Sequence, residues 1–141
     1  MTEQFTITLP EYKRGFHLIT DKILQRLQQQ GFSELPTSGI FHVFIQHTSA
    51  SLTINENADP SVRVDLESHS NVMVPENARH FTHVFEGSDD MPAHVKASLY
   101  GASVSIPIVQ HQLGLGTWQG IYLGEHRNHG GQRRLVVTIF S

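Results

Sequence analysis

The chain contains no cysteine, which excludes a disulfide framework, a thiolate metal centre and a cysteine nucleophile. No apolar run exceeds three residues, so no segment reads as a membrane span. Lys and Arg number 10 against 13 Asp and Glu, with no basic block, and general nucleic-acid binding is not expected. The start, Met1-Thr2-Glu3-Gln4, lacks the basic and apolar regions of a signal peptide, so a cytoplasmic protein is the expectation. A length of 141 residues suits one domain spanning the chain and is too short for an eight-fold β/α barrel. Histidine, by contrast, is abundant: 10 residues, as many as Lys and Arg combined. Protonating all of them would reverse the sign of the formal net charge of −3, so mild acid is expected to matter.

The pattern along the chain is α+β. Phe5, Ile7 and Leu9 alternate with polar residues up to Pro10, predicting a half-buried strand, with a short extended piece near residues 15–19 paired to it. Thr20 is the expected N-cap of a helix carrying Ile23, Leu24 and Leu27 and closing at Gly31. Residues 40–47 are β-branched and aromatic, and Leu52 and Ile54 suggest another short strand. Asp59-Pro60 predicts an N-cap followed by proline at the first helical position, with Val62, Leu66 and His69 in the helix. Residues 74–90 read as loop; Pro92 then opens a helix that runs to Gly101. Strands follow at 104–108, 118–123 and 135–140, punctuated by glycines, with Trp118 expected to be buried. The sum is a single domain: a mostly antiparallel or mixed sheet with about three helices packed on it.

The densest chemistry lies in His83-Val-Phe-Glu86-Gly87-Ser-Asp89-Asp90-Met-Pro92-Ala-His94-Val-Lys96. Neutral imidazoles with nearby carboxylates suit a divalent ion with an open position. With Asp90 as N-cap, His94 falls in the first helical turns, where the positive helix end disfavours imidazolium. The same helix end, with Lys96, suits a phosphate. An incidental, solvated capping loop is the competing reading. His47 closes an apolar strand before Thr48-Ser49-Ala50-Ser51, a common place to present a functional side chain, although a locally hydrogen-bonded histidine explains it equally well. His42, an odd number of residues away, is expected on the opposite face. His17, His69, His80 and His111 lack supporting neighbours and read as structural or surface groups. Gly114 to Gly120 lacks the lysine of a phosphate loop. In the turn Glu125–Arg134 an arginine suits a diphosphate, Glu125 and Arg127 being better placed than Arg133 and Arg134, for which a solvated turn is as good an account.

Four separated motifs then occur in order: His47-Thr-Ser-Ala-Ser with Leu52-Thr-Ile-Asn-Glu-Asn, His83 to Glu86-Gly87, Asp90-Met-Pro-Ala-His94-Val-Lys96, and Gly116-Thr-Trp-Gln-Gly120-Ile. Together with Arg14-Gly-Phe-His-Leu and Gly124-Glu-His-Arg, they resemble the YjbQ-like family of secondary thiamine-phosphate synthases over essentially the whole chain. The resemblance implies an α+β subunit in a homotrimer, with a histidine-rich site near subunit contacts. It also implies a weak activity joining an aminopyrimidine diphosphate to a thiazole phosphate, with release of pyrophosphate.

Set against that reaction, the residues suggest roles. His47, His83 and His94 are the expected ligands of a divalent ion, zinc or magnesium, with Glu86 or Asp90 orienting it or a bound water. Lys96, Arg127 and Ser49 are expected to face phosphate. The alternatives are a trimeric metal- or phosphometabolite-binding protein with incidental synthase activity, and an acid-sensitive assembly protein. The expected partners are small phosphorylated metabolites and copies of the chain, with no nucleic acid and no membrane.

Overall fold

The computed structural model describes residues 1–141. Alternation builds the first ladder: β1 (Thr2–Thr8) turns Ile7 inward and pairs antiparallel with β8 (Arg134–Phe140), so the two chain ends lie side by side. β8 pairs in turn with β3 (Ser38–Ile45), β3 with β5 (Ser103–Val109), and β5 with the short β6 (Gln112–Leu113). A second, three-stranded sheet runs β2 (Gly15–Leu18), β7 (Gln119–Glu125), β4 (Ala50–Glu56). Every pairing is antiparallel, and the expected single sheet is two.

The core fills the space between the sheets. Phe41, Val43, Ile45, Val137 and Ile139 enter from the larger one and Leu52, Ile121 and Leu123 from the smaller. Helix α1 (Thr20–Gln29) adds Ile23 and Leu27. Helices α2 (Pro60–Met73) and α3 (Asp90–Tyr100) pack on the small sheet through β2 and β4. Strand β7 is therefore buried on both faces, which explains its near-continuous apolar run. No helix is long and apolar enough to cross a membrane.

Asp59 caps α2, its side chain accepting the Ser61 N–H at 2.9 Å with Pro60 at the helix start. Thr20 does not cap α1. Ile19 holds that position, and the Thr20 hydroxyl accepts the Ile121 N–H at 2.9 Å, tying the helix to the central strand of the small sheet. Trp118 is not buried but 64% exposed. Its loop is held by backbone instead: the Trp118 carbonyl accepts the Asn57 N–H at 2.9 Å, and the Asn57 amide bonds the carbonyls of Thr117 and Gln119. His42 lies on the outer face of the large sheet beside Ser105, its Nδ1 2.7 Å from the serine hydroxyl, while its neighbours Phe41 and Val43 point inward.

Gly124 lies opposite Ser51 in the β4–β7 ladder and close to the His126 ring. A Cβ there would collide with the Ser51 hydroxyl and come within 2.8 Å of the His126 ring. Gly124→Ala is expected to cost about 1–3 kcal/mol, the usual price of overpacking a filled site. Urea unfolding checks it; an unchanged midpoint contradicts the packing described.

Candidate metal site

The loop joining α2 to α3 carries His83 back over the start of α3. Asp89 is the N-cap of that helix and Asp90 its first residue, so the helix starts one position earlier than expected from the sequence. With both inside the helix, Asp90 and His94, four residues apart, share one face. Gly87, at φ 106°, supplies the left-handed turn whose carbonyl accepts the Asp90 N–H.

Three side chains meet there. Oδ2 of Asp90 lies 2.8 Å from His83 Nε2 and 3.2 Å from His94 Nε2, while Oδ1 accepts from Arg127 Nη1 at 2.6 Å. Asp90 itself is 2% exposed. Burial works to raise its carboxyl; the hydrogen bond from His83, the His94 ring and the Arg127 guanidinium outweigh it and hold the carboxyl below the usual range. Arg127 is held in turn. Its Nε donates to Asp89 Oδ2 at 2.9 Å and its Nη2 to the Glu86 carbonyl at 2.9 Å. The bond to Asp89 is the leading cause that raises the guanidinium further.

The tautomer of His94 bears on what the cluster can hold. His94 Nδ1 sits 2.9 Å from the Thr48 backbone carbonyl, which can only accept, so Nδ1 carries a proton. Nε2 then faces the Asp90 carboxylate either with a second proton or with its lone pair turned toward a cation. A ring nitrogen fixed by a backbone carbonyl, with the other free to ligate, is the usual outer support of a metal-binding histidine. The ligating atoms of His83, Asp90 and His94 all lie within 4.8 Å of one another, spacing that suits one ion with bonds of about 2.0–2.2 Å. Two imidazoles and one carboxylate fit zinc better than magnesium, which prefers oxygen.

The other expected site residues lie elsewhere or have their donors engaged. His47 is not in the cluster: its Nε2 accepts the Arg134 backbone N–H at 2.8 Å. Ser49 is buried, its hydroxyl accepting from Arg133 Nη2 at 3.0 Å. Lys96 is fully buried and donates to Asn71 Oδ1 at 2.6 Å, burial and then the Arg14 charge holding its ammonium below the usual lysine range. Arg127 has each guanidinium nitrogen engaged within the protein and acts as a positioning residue rather than a free phosphate clamp. Glu86 is exposed at the loop beside them. Arg133 is not in a solvated turn: it forms a buried pair with Glu125, Nη2 to Oε2 at 2.7 Å.

Sequence reasoning passed over Asp89, Arg14 and His126. Asp89 fixes both Arg127 and the Asn128 N–H, the latter at 2.9 Å. Arg14 bonds Glu67, Asn71 and Asn128 from under α2. The doublet of acids before a helix and the Arg14-Gly-Phe-His motif were the available signals. For His126 the signal was the Gly124-Glu-His-Arg motif, which does not reveal that the ring is buried.

His126 is 1% exposed, with Nε2 2.8 Å from the Ser51 hydroxyl and Nδ1 unpartnered. Burial, then the charges of Lys96, Arg133 and Arg14, push its pKa from 6.5 to about 3. The folded protein keeps the ring neutral while the unfolded chain takes up a proton below pH 6.5. Stability is thus fully present above that pH and lost as pH falls toward about 3. His47, also lowered, acts in the same sense. Denaturant titrations from pH 7 to 4.5 are expected to show this slope and His126→Gln to flatten it; an equal slope in both proteins contradicts the assignment.

The profile described as "UPF0047 protein YjbQ-like" matches residues 4–141. The chain is 53% identical over 139 residues to the UPF0047 protein YjbQ of Salmonella typhimurium, covering 99% of this chain and 98% of that one. It is 48% identical over 141 residues to the protein of the same name from Escherichia coli O157:H7, with the same coverage. Among solved structures, an uncharacterized conserved YjbQ/UPF0047 protein of Clostridium acetobutylicum superposes with a TM-score of 0.78 at 36% identity, covering 96% of this chain and 99% of that one. A YbjQ-like protein of Sulfolobus solfataricus P2, 24% identical, shares the fold with a TM-score of 0.82 over 99% of this chain and 96% of that one. The chain belongs to the YjbQ-like UPF0047 family.

Proposed function

We propose that the chain is a divalent-metal-dependent transferase of the thiamine-phosphate synthase type, taking an aminopyrimidine diphosphate and a thiazole phosphate and releasing pyrophosphate. The observation that carries the metal reading is the His94 ring: protonated at Nδ1 by its bond to Thr48, it turns Nε2 toward a buried carboxylate. The family resemblance supplies the substrates. His83, Asp90 and His94 are the residues to hold the ion, which when bound stabilises charge developing on a leaving diphosphate.

The chain's own groups do the positioning. Asp90 contributes the negative charge at the ligand set, Arg127 orients it, and Asp89 orients Arg127. Glu86, on the exposed loop, is the group to order a water there. A cavity of about 440 Å³, lined in part by Phe81, His83, Val84 and Met91, opens beside His83 and has room for the organic part of a substrate. In the reaction the C–O bond to the diphosphate breaks with its electron pair on the departing oxygen. The thiazole nitrogen lone pair forms the new C–N bond, so no oxidant or reductant is required. The expected setting is the cytoplasm, with the chain as a homotrimer.

Zinc-loaded wild type is expected to bind the ion stoichiometrically and turn over the two precursors. His83→Ala and His94→Ala should each lose the ion, measured by elemental analysis, and the activity with it. Unchanged metal content in both variants sinks the metal assignment. Tight binding of the precursors without turnover replaces the transferase with a phosphometabolite-binding protein.

A further inference from the structure

His47, excluded from the metal cluster, has a different chemistry. Its Nε2 accepts the Arg134 N–H, so the neutral ring carries its proton on Nδ1. Burial, then the charges of Arg133 and Arg134, hold the ring below the usual histidine range, with Glu125 opposing them weakly, so it stays neutral at pH 7. Nδ1 lies 3.4 Å from Arg133 Nη1, which is itself a donor. The rest of that guanidinium is satisfied: Nε donates to Glu125 Oε1 at 2.8 Å, and Nη2 to Glu125 Oε2 at 2.7 Å and to Ser49. Nη1 has no acceptor in the chain, although the Arg133 side chain is only 6% exposed. Two N–H donors therefore face one another with nothing between them to accept, an arrangement that is costly unless something accepts from both.

His47 lines a cavity of about 330 Å³ together with Thr48, Ala50, His94 and Ser98; Arg133 is not among the lining residues and lies behind the His47 ring, at its Nδ1. We propose that Arg133 Nη1 and His47 Nδ1–H form an oxyanion subsite in which one phosphate oxygen accepts from both. Arg133 brings the charge and Glu125 fixes its plane, so the guanidinium is preorganised and the anion pays little to order it. The subsite stands whether or not a metal binds. His94, which lines this cavity, also belongs to the metal cluster, and His83 of that cluster lines the other cavity.

Inorganic phosphate is the probe, titrated into chelator-treated, metal-free protein while the histidine ring nitrogens are followed by NMR. The wild type is expected to bind phosphate saturably, with the His47 Nδ1 resonance shifting, and to show the Nδ1–H tautomer before phosphate is added. His47→Phe and Arg133→Lys, the latter keeping a cation for Glu125, are each expected to weaken phosphate binding about tenfold or more. His47→Phe should still take up zinc as the wild type does, which separates this subsite from the metal reading. An Nε2–H tautomer in the wild type overturns the proposal whatever the variants do. So does absence of saturable phosphate binding, or equal affinity in His47→Phe.

Discussion

Taking the Asp90 carboxylate out of water costs several kcal/mol unless charge and hydrogen bonds meet its oxygens. Here they are met from three parts of the chain: His83 on the loop after α2, His94 one turn along α3, and Arg127 in the connection between β7 and β8. Two of the partners are themselves held, His94 by the Thr48 carbonyl between β3 and β4 and Arg127 by Asp89. The loop, the helix start and the β7–β8 connection come together around that one buried carboxylate. A site supported in this way has ligating atoms in place before a ligand arrives, which is what metal-assisted chemistry requires.

Beneath it lies a second polar layer. Asn128 passes the Asp89 contact to Arg14, whose guanidinium shares the Asn71 carbonyl oxygen with Lys96. Tyr100 stacks on His126 at 5.8 Å, and Ser51 bonds the ring from the sheet side. The Glu125–Arg133 pair ties together the two ends of the β7–β8 connection. Buried ionic groups of this kind contribute little net stability. They do specify one arrangement of α2, α3 and the small sheet, and the acid sensitivity of the fold follows from keeping His126 uncharged within it.

Most elements were legible because their signals are local. The Asp59-Pro60 cap, the alternation of β1 and the apolar run of β3 depend on neighbours a few residues away. The division into two sheets was not legible, because pairing β7 with β2 and β4 rather than with the larger sheet is a long-range choice. Trp118 misled through its hydrophobicity, when the backbone of its loop makes the contacts. In the site, His83 and His94 were readable from their acidic company. Arg127 reads from the sequence as a phosphate group's partner, since spacing cannot reveal that Asp89, Asp90 and the Glu86 carbonyl take up its donors. His47 reads as a ligand because it closes an apolar strand before a small polar run. What separates it is a backbone N–H from Arg134, 87 residues away in sequence.

The central claim is that the Asp90 carboxylate, with His83 and His94 turned onto it, holds a divalent cation. Anomalous diffraction at the zinc edge from crystals of the zinc-loaded protein tests it most directly. The account predicts one strong peak per chain, bonded to His83 Nε2, an Asp90 oxygen and His94 Nε2, with the Nδ1–Thr48 contact kept. Zinc bound at His47 instead, or no peak between His83 and His94 under saturating zinc, would contradict it.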